Sequence, residues 1–455
     1  MKKKILAIAL VSMMSLGLFA GCGDKKDGGD TTVTEKDTTT VAGDKEETTA
    51  KAKPVELKVI TGYGGSDGNK ANYENAYKAY EQESGNTIKD ASVTYNEDTK
   101  LQVMTDFETG SEPDVVMYFD GTDSNPLVTG GKLVDIETIR AEYPDYATNM
   151  DEARMNKSPA DGKYYSIPVN GFYEGMFVNT KVLADCGVDL PNESTTWEQF
   201  MASCETIKGK NYTPIAVSMA EEPGYWFEFC TYNHLAASNL NIMPKTFDDV
   251  QGKAWVAGVG DLKSCFEKGY LPKNTNSTTA AEAYKLLTDG KAAFYVDGSW
   301  KVGAFEKDMA DRLDEVTYTL VPGSADGRKA TDIVGGISSG YMITKKGWDS
   351  DKKDAAVSFI SYMTSDEVIG TFCTAGQVTA LKNAPPAPAG ASSLVQAAMA
   401  ANGKATSISG AVEDNMEAAG VRTPFFKNFS KVMTGATTGE KIVTDVLAAH
   451  YASLK

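Results

Sequence analysis

Carboxylates and aromatic side chains share three short stretches of this chain: Phe172-Tyr173-Glu174, Glu221-Glu222-Pro-Gly-Tyr225-Trp226 and Asp297-Gly-Ser-Trp300. Two kinds of chemistry fit that mixture. Paired carboxyls can act as general acid and base, and a retaining glycosidase holds its pair only ~5 Å apart. Carboxylates beside flat rings can instead hold a hydroxyl-rich ligand, the rings covering C–H faces and the carboxylates accepting hydroxyl protons. Glu221 and Glu222 are adjacent, but no motif pairs carboxyls for acid–base work. The chain has only two histidines, His234 and His450, with no H-x-x-x-H or H-E-x-x-H spacing, which removes the common triad and zinc templates. The loop TGYGGSDGNK (61–70) matches neither phosphate-binding glycine pattern, so nucleotide is rejected as a ligand. No catalytic residue, metal or cofactor is assigned. Within GKAAFYVDGSW (290–300), Trp300 reads as a core residue or a ligand platform, and Asp297 as a hydroxyl acceptor or a brace for its own turn.

The elements that must position these residues follow from periodicity. Glu56 to Ile60 alternates like a strand, and Tyr73, Ala76, Tyr77 and Tyr80 form one face of a helix. Ala91–Tyr95 and Asp114–Phe119 read as strands around a helix over 100–108. Further along, Pro214–Met219 and Ala292–Val296 read as strands. Thr195-Thr-Trp-Glu198 reads as a capping box opening a helix to about Ile207. Helices are expected over 281–287, along the face Ala356, Phe359, Ile360, Met363, and over 440–454. The alternation indicates α/β sheets with parallel strands, whose carboxyl ends are the usual ligand sites. Tyr63 and Asp67 follow the first of those strand ends, and Tyr118 and Asp120 mark that of the strand over 114–119.

At 455 residues the chain exceeds what one core usually serves, so two lobes are expected. Acidic residues outnumber basic ones 62 to 45, for a net charge of −17, and no basic stripe exists to recruit nucleic acid. Three lysines at positions 2–4 precede an uncharged run over 5–20, a secretory signal by length and flanks. Leu18-Phe-Ala-Gly-Cys22 resembles the lipobox of bacterial lipoproteins, which implies diacylation of Cys22 and attachment to the outer face of the cytoplasmic membrane. Residues 22–54 have almost nothing to bury and read as a disordered tether. The other five cysteines are too few and too scattered for a disulfide framework and read as buried small hydrophobes.

Asp161-Gly-Lys-Tyr-Tyr-Ser-Ile-Pro168, Phe177-Val-Asn179, Cys186-Gly-Val-Asp-Leu-Pro191 and Thr196-Trp-Glu-Gln-Phe200 occur in that order. With Gly290-Lys-Ala-Ala-Phe, Gly298-Ser-Trp300, Gly335-Gly336 and Thr434-Gly435, the series resembles the sugar-binding extracellular solute-binding proteins of ATP-binding cassette importers, relatives of maltose-binding protein. The resemblance spans about 57–454. It implies a two-lobed periplasmic-binding-protein-like α/β fold, with a ligand cleft between lobes joined by several crossing segments. Expected divisions are 1–21 signal peptide, 22–54 tether, 55–169 plus 324–363 lobe one, and 170–323 plus 364–455 lobe two. Crossings are expected at Pro168, Val321-Pro322-Gly323 and Thr364.

The implied activity is capture of a sugar or oligosaccharide by hinge closure and delivery to membrane permease subunits, by a monomer with no enzymatic step. By that resemblance Trp300 is a stacking residue, and Glu222, Tyr225 and Trp226 lie in the cleft. Phe172, Tyr173 and Glu174 follow the first crossing; Arg422 is a further candidate. The alternatives are a secreted carboxylate-dependent glycosidase or lyase, or the same fold holding a peptide, polyamine or other solute.

Overall fold

The structure, a computed structural model, describes residues 53–373, 377–383 and 390–454. The expected signal peptide, Cys22 and all but the last two residues of the tether lie outside the described residues. Among those described, no helix is long and apolar enough to cross a membrane.

The first sheet runs in the order β2-β1-β3-β9, with β1 Glu56–Ile60, β2 Thr87–Asp90, β3 Val115–Phe119 and β9 Ser339–Ile343. The expected parallel pairing holds for β1 with β2 and β3, whereas β9 lies antiparallel to β3. The run Val-Val-Met-Tyr-Phe in β3 is apolar throughout because both faces are covered: Val115 and Met117 pack into one core cluster, Val116 and Tyr118 into another. The tyrosine stripe forms within helix Lys70–Ser84, where Tyr80 meets Phe359 edge to face at 5.2 Å and donates its hydroxyl to the Ala355 carbonyl. Ala91–Tyr95, expected as a strand, is not one. The β1–β2 register ends at Val59↔Asp90, and Val93 then donates to the Thr61 carbonyl in the loop beyond β1.

The second sheet centres on β4 Phe172–Asn179, which is antiparallel to β6 Ala292–Gly298, β7 Val316–Thr319 and β8 Asp332–Gly336. Outer strands β5 Thr213–Ala216 and β10 Ser407–Ser409 run parallel to β6 and β8. An all-parallel reading therefore fails here, because β4 begins at a crossing and its neighbours enter from the opposite end. The ladder of β5 stops at Ala216, short of the expected Met219, whose N–H turns to the Thr275 carbonyl. The capping box sits one residue later than expected: Thr196 Oγ1 accepts the Gln199 N–H, and Gln199 Oε1 accepts the Thr196 N–H.

Two lobe boundaries move. Residues 332–336, expected in lobe one, are strand β8 of the second sheet, and Gly323, expected at a crossing, accepts from Trp197 N–H inside lobe two. Helix Asp366–Phe372, expected in lobe two, buries Val368, Ile369 and Phe372 in the core of lobe one. The chain thus crosses between Ile167, bridged to Tyr341, and Phe172, paired with Gly336. It crosses back between β8 and β9 and returns to lobe two beyond Leu381, which still packs in lobe one. The five described cysteines are free and buried.

Candidate functional site

The sites raised by the sequence converge where the two sheets face each other. Strand β6 ends at Gly298, and a short turn, Ser299–Lys301, leads into helix Val302–Asp308. Trp300 folds its indole back over Gly298, where a Cβ would collide with the ring, so this close approach requires glycine. The indole is half-buried, 5.7 Å from the Phe172 ring and 6.0 Å from the Tyr225 ring. From lobe one, Gly68 packs against the Trp300 carbonyl and Gly303.

Carboxylates surround these rings. Glu222 is half-buried, and among the described residues no group donates a hydrogen bond to its side chain; burial first, then the Asp297 charge, pushes it up to about 7. Glu413 is pushed up to about 8, mainly by burial, although Arg422 opposes the shift. Burial likewise raises Asp67 and Asp120, each to about 6. Asp67, on lobe one, faces Lys301 of lobe two, and Asp120 faces Asp414 of lobe two. Burial raises both Glu174 and Glu228; the Glu228 charge adds to the shift of Glu174, and the Glu413 charge adds to both.

A second group ties the lobes together. Arg422, only 1% exposed, donates through Nη2 to Asp123 Oδ2 at 2.9 Å and through Nε to Glu97 Oε2 at 3.3 Å. Thr423 donates to Glu97 at 3.0 Å, and Thr122 of lobe one donates to the Asp414 carbonyl at 2.7 Å. Lys100 adds a cation 3.3 Å from Glu97 and 3.5 Å from Asp123. Although burial alone would raise Glu97, Lys100 and Arg422 hold it below the usual carboxylate range.

Several expected site residues lie elsewhere. Trp226 is a core residue, 1% exposed and stacked on Phe200 at 6.1 Å, because its position on helix Gly224–Tyr232 faces the sheet. Tyr118 is buried under helix Glu97–Glu108, in the alternate face of β3. Tyr63 is buried beside Tyr73 and Phe372 and donates to Asn170 Oδ1 at 2.8 Å, at the first crossing. Tyr173 takes the opposite face of β4 from Phe172 and Glu174, against the cluster of Phe177 and Tyr295. Asp297, 1% exposed, accepts from Tyr295 Oη at 2.5 Å and from Gly298 N–H at 2.7 Å, with Lys301 Nζ at 3.7 Å. It braces its own turn. Phe172 and Glu174 are buried, while Trp300, Tyr225, Glu222, Asp67 and Asp120 remain partly open, as does Tyr173 on the other face of β4.

Sequence reasoning missed Glu413, Asp414, Glu228, Glu97, Lys100, Asp123 and Lys301. Glu228 had a signal, since it lies four residues from Gly224 on the face that carries the cleft. Glu413-Asp414 sits in a stretch with no periodic or motif signal, and only the fold brings it here. The histidines stay apart from the cleft chemistry: His450 is buried, and His234 pairs with Asp261 at 2.8 Å on the surface.

Residues 64–369 match the family described as bacterial extracellular solute-binding protein. The chain belongs to that family. Among curated relatives, this solute-binding chain is 22% identical to an arabinooligosaccharide-binding protein of Halalkalibacterium halodurans, over 48% of this chain and 47% of that one. It is 26% identical to a maltooligosaccharide ABC transporter solute-binding lipoprotein of Streptococcus pneumoniae, over 59% of this chain and 60% of the relative. The chain thus spans about half the length of the curated relatives it matches. Among solved structures, a chitin oligosaccharide binding protein superposes with a TM-score of 0.73 at 26% identity, covering 88% of this chain and 98% of that one. The two-lobed architecture is that of the solute-binding fold.

Proposed function

We propose that this chain captures a sugar or oligosaccharide between its lobes and delivers it to the permease subunits of an ATP-binding cassette importer, breaking no bond. The observation that carries the reading is the half-buried pair of rings, Trp300 and Tyr225, set beside the unengaged Glu222 carboxylate. Rings offer faces to sugar C–H groups, and a free carboxylate offers acceptors to hydroxyls. The oligosaccharide ligands in the names of the relatives point the same way. Asp67 and Asp120 extend the binding surface on lobe one. Closure is a population shift, favoured by any ligand that touches both lobes at once. The chain acts as a monomer, anchored outside the cytoplasmic membrane by acyl chains on Cys22; mass spectrometry of the membrane-extracted protein tests for that diacylated cysteine.

A thermal-unfolding screen over mono-, di- and oligosaccharides tests the ligand class. A ligand at a thousand times its dissociation constant stabilises the fold by roughly 4 kcal/mol, which is easily seen as a melting shift. Trp300→Ala is expected to weaken the binding of whichever saccharide scores by about 2 kcal/mol while leaving the unliganded melting point nearly unchanged. Unchanged affinity removes Trp300 from the site. Sustained product formation from a glycan overturns the binding-only reading.

A further inference from the structure

Charge and aromatic surface are distributed unusually in this cleft. Among the described residues, two cations of this cleft are already committed: Arg422 lies against Glu97, Asp123 and Asp414, and Lys100 against Glu97 and Asp123. Lys301 is a third, 3.7 Å from Asp297 and also facing Glu222 and Asp67. Glu174, Glu228, Glu413 and Asp414 crowd together, and among the described residues the cations near them are Arg422, 3.9 Å from Asp414, Lys100, and the buried Arg328, which feels Glu228. Glu174 and Glu228, 3% and 0% exposed, each keep one carboxylate oxygen without a hydrogen-bond partner, and so does Glu413.

The placement is built. Helix Gly224–Tyr232 puts Gly224 and Glu228 on one face, and Glu413 lies where a Cβ on Gly224 would be. Val412 N–H donates to Glu228 Oε1 at 2.5 Å and holds the segment against the helix. Between those two helix positions comes Tyr225, whose ring faces Trp300 and whose hydroxyl feels the charges of Asp297, Glu222, Glu413 and Glu174.

We propose that the ligand of this cleft is a basic oligosaccharide, one whose rings carry free ammonium groups, and that Glu222 and Glu413 receive those groups beside Trp300 and Tyr225. The proposal rests on the reading of the cleft as a saccharide site. A neutral sugar leaves the surplus carboxylates to be silenced by protons. An ammonium gives them charge-assisted hydrogen bonds, and over a desolvated indole or phenol face it gains a cation–π attraction as well. A bare polyamine would satisfy the carboxylates but leave the two rings without a sugar face to cover, and a metal ion would use neither ring.

Isothermal calorimetry on the purified protein at pH 7 decides this, with the trimers of glucosamine, N-acetylglucosamine and glucose, spermidine and Ca²⁺ as probes. The expected result is glucosamine-trimer binding at least about tenfold tighter than either neutral trimer. In Glu222→Gln and Glu413→Gln that ratio falls to within about threefold. Circular dichroism melts establish that the variants fold, and if they do not, the wild-type ratio alone decides. A neutral trimer binding as tightly as the basic one overturns the proposal and leaves the saccharide reading standing. Tighter spermidine or Ca²⁺ overturns it from the other side. Failure of every saccharide overturns the reading beneath it.

Discussion

Around Arg422 the buried charges come closer to balance: two cations, Arg422 and Lys100, lie against Glu97 and Asp123 with hydrogen bonds between them, and Asp414 stands 3.9 Å from Arg422. A short distance away, Glu174, Glu228 and Glu413 are buried with one another and keep unpartnered oxygens. The first cluster draws its members from both lobes, while the second belongs to lobe two alone. Buried ions that find partners across the cleft favour closure. Buried carboxyls without partners keep their protons or wait for a cation from outside.

Removing one member of the balanced cluster should have the largest effect. Arg422→Met leaves Glu97 and Asp123 buried with Lys100 alone, at a cost of about 3–5 kcal/mol to the closed arrangement. Small-angle scattering in saturating ligand should then show a larger radius of gyration than wild type; an unchanged radius would mean the cluster does not hold the lobes together.

The carboxyls that burial raises on both lobes predict a pH dependence of opposite sign to that of an ordinary salt-bridged carboxylate. Glu222, Glu413, Asp67 and Asp120 are raised by burial to about 7, 8, 6 and 6. The folded chain therefore holds protons that the unfolded chain releases. The stability they contribute is complete below the unfolded values near 4 and is lost as pH climbs through 6 to 8. Without ligand, the melting temperature should fall by roughly 5 °C or more between pH 5 and pH 8. A flat profile would show that these groups find partners in solution.

The smallest effect separates the clusters most cleanly. Glu228→Gln keeps the Oε1 acceptor for Val412 and supplies an N–H₂ toward the carboxylate oxygens around it. It should leave stability at pH 8 unchanged or raise it by about 1 kcal/mol, where truncating a partnered ion would lower it. A loss of several degrees on melting would place Glu228 among the balanced ions instead.

The two clusters also differ in how legible they were. Strand β6 and the tyrosine stripe of helix Lys70–Ser84 follow from local periodicity, although β6 runs two residues past the expected Val296, to Gly298. Tyr118 and Trp226 looked like site residues because aromatic side chains near strand ends and turns suit either role. Which face each takes depends on helix and sheet packing that no local pattern specifies. Glu413 and Glu228 come from segments 184 residues apart, joined by the Val412–Glu228 hydrogen bond, so their pairing is a property of the fold. The lobe boundary was misplaced because Val321-Pro322-Gly323 carries the stronger turn signal. The chain instead crosses beside Gly335-Gly336, where strand pairing had to be known first.

That second crossing has a mechanical consequence. Strands β8 and β9 belong to different sheets and are separated only by Ile337 and Ser338. Two residues supply four soft dihedrals, and Gly336 just before them sits at φ +153°, a backbone state open mainly to glycine. So short a tie acts as a strap hinge: it lets the lobes swing but gives them almost no length with which to slide or separate. Any opening of the cleft is therefore a rotation whose axis passes close to residues 336–338.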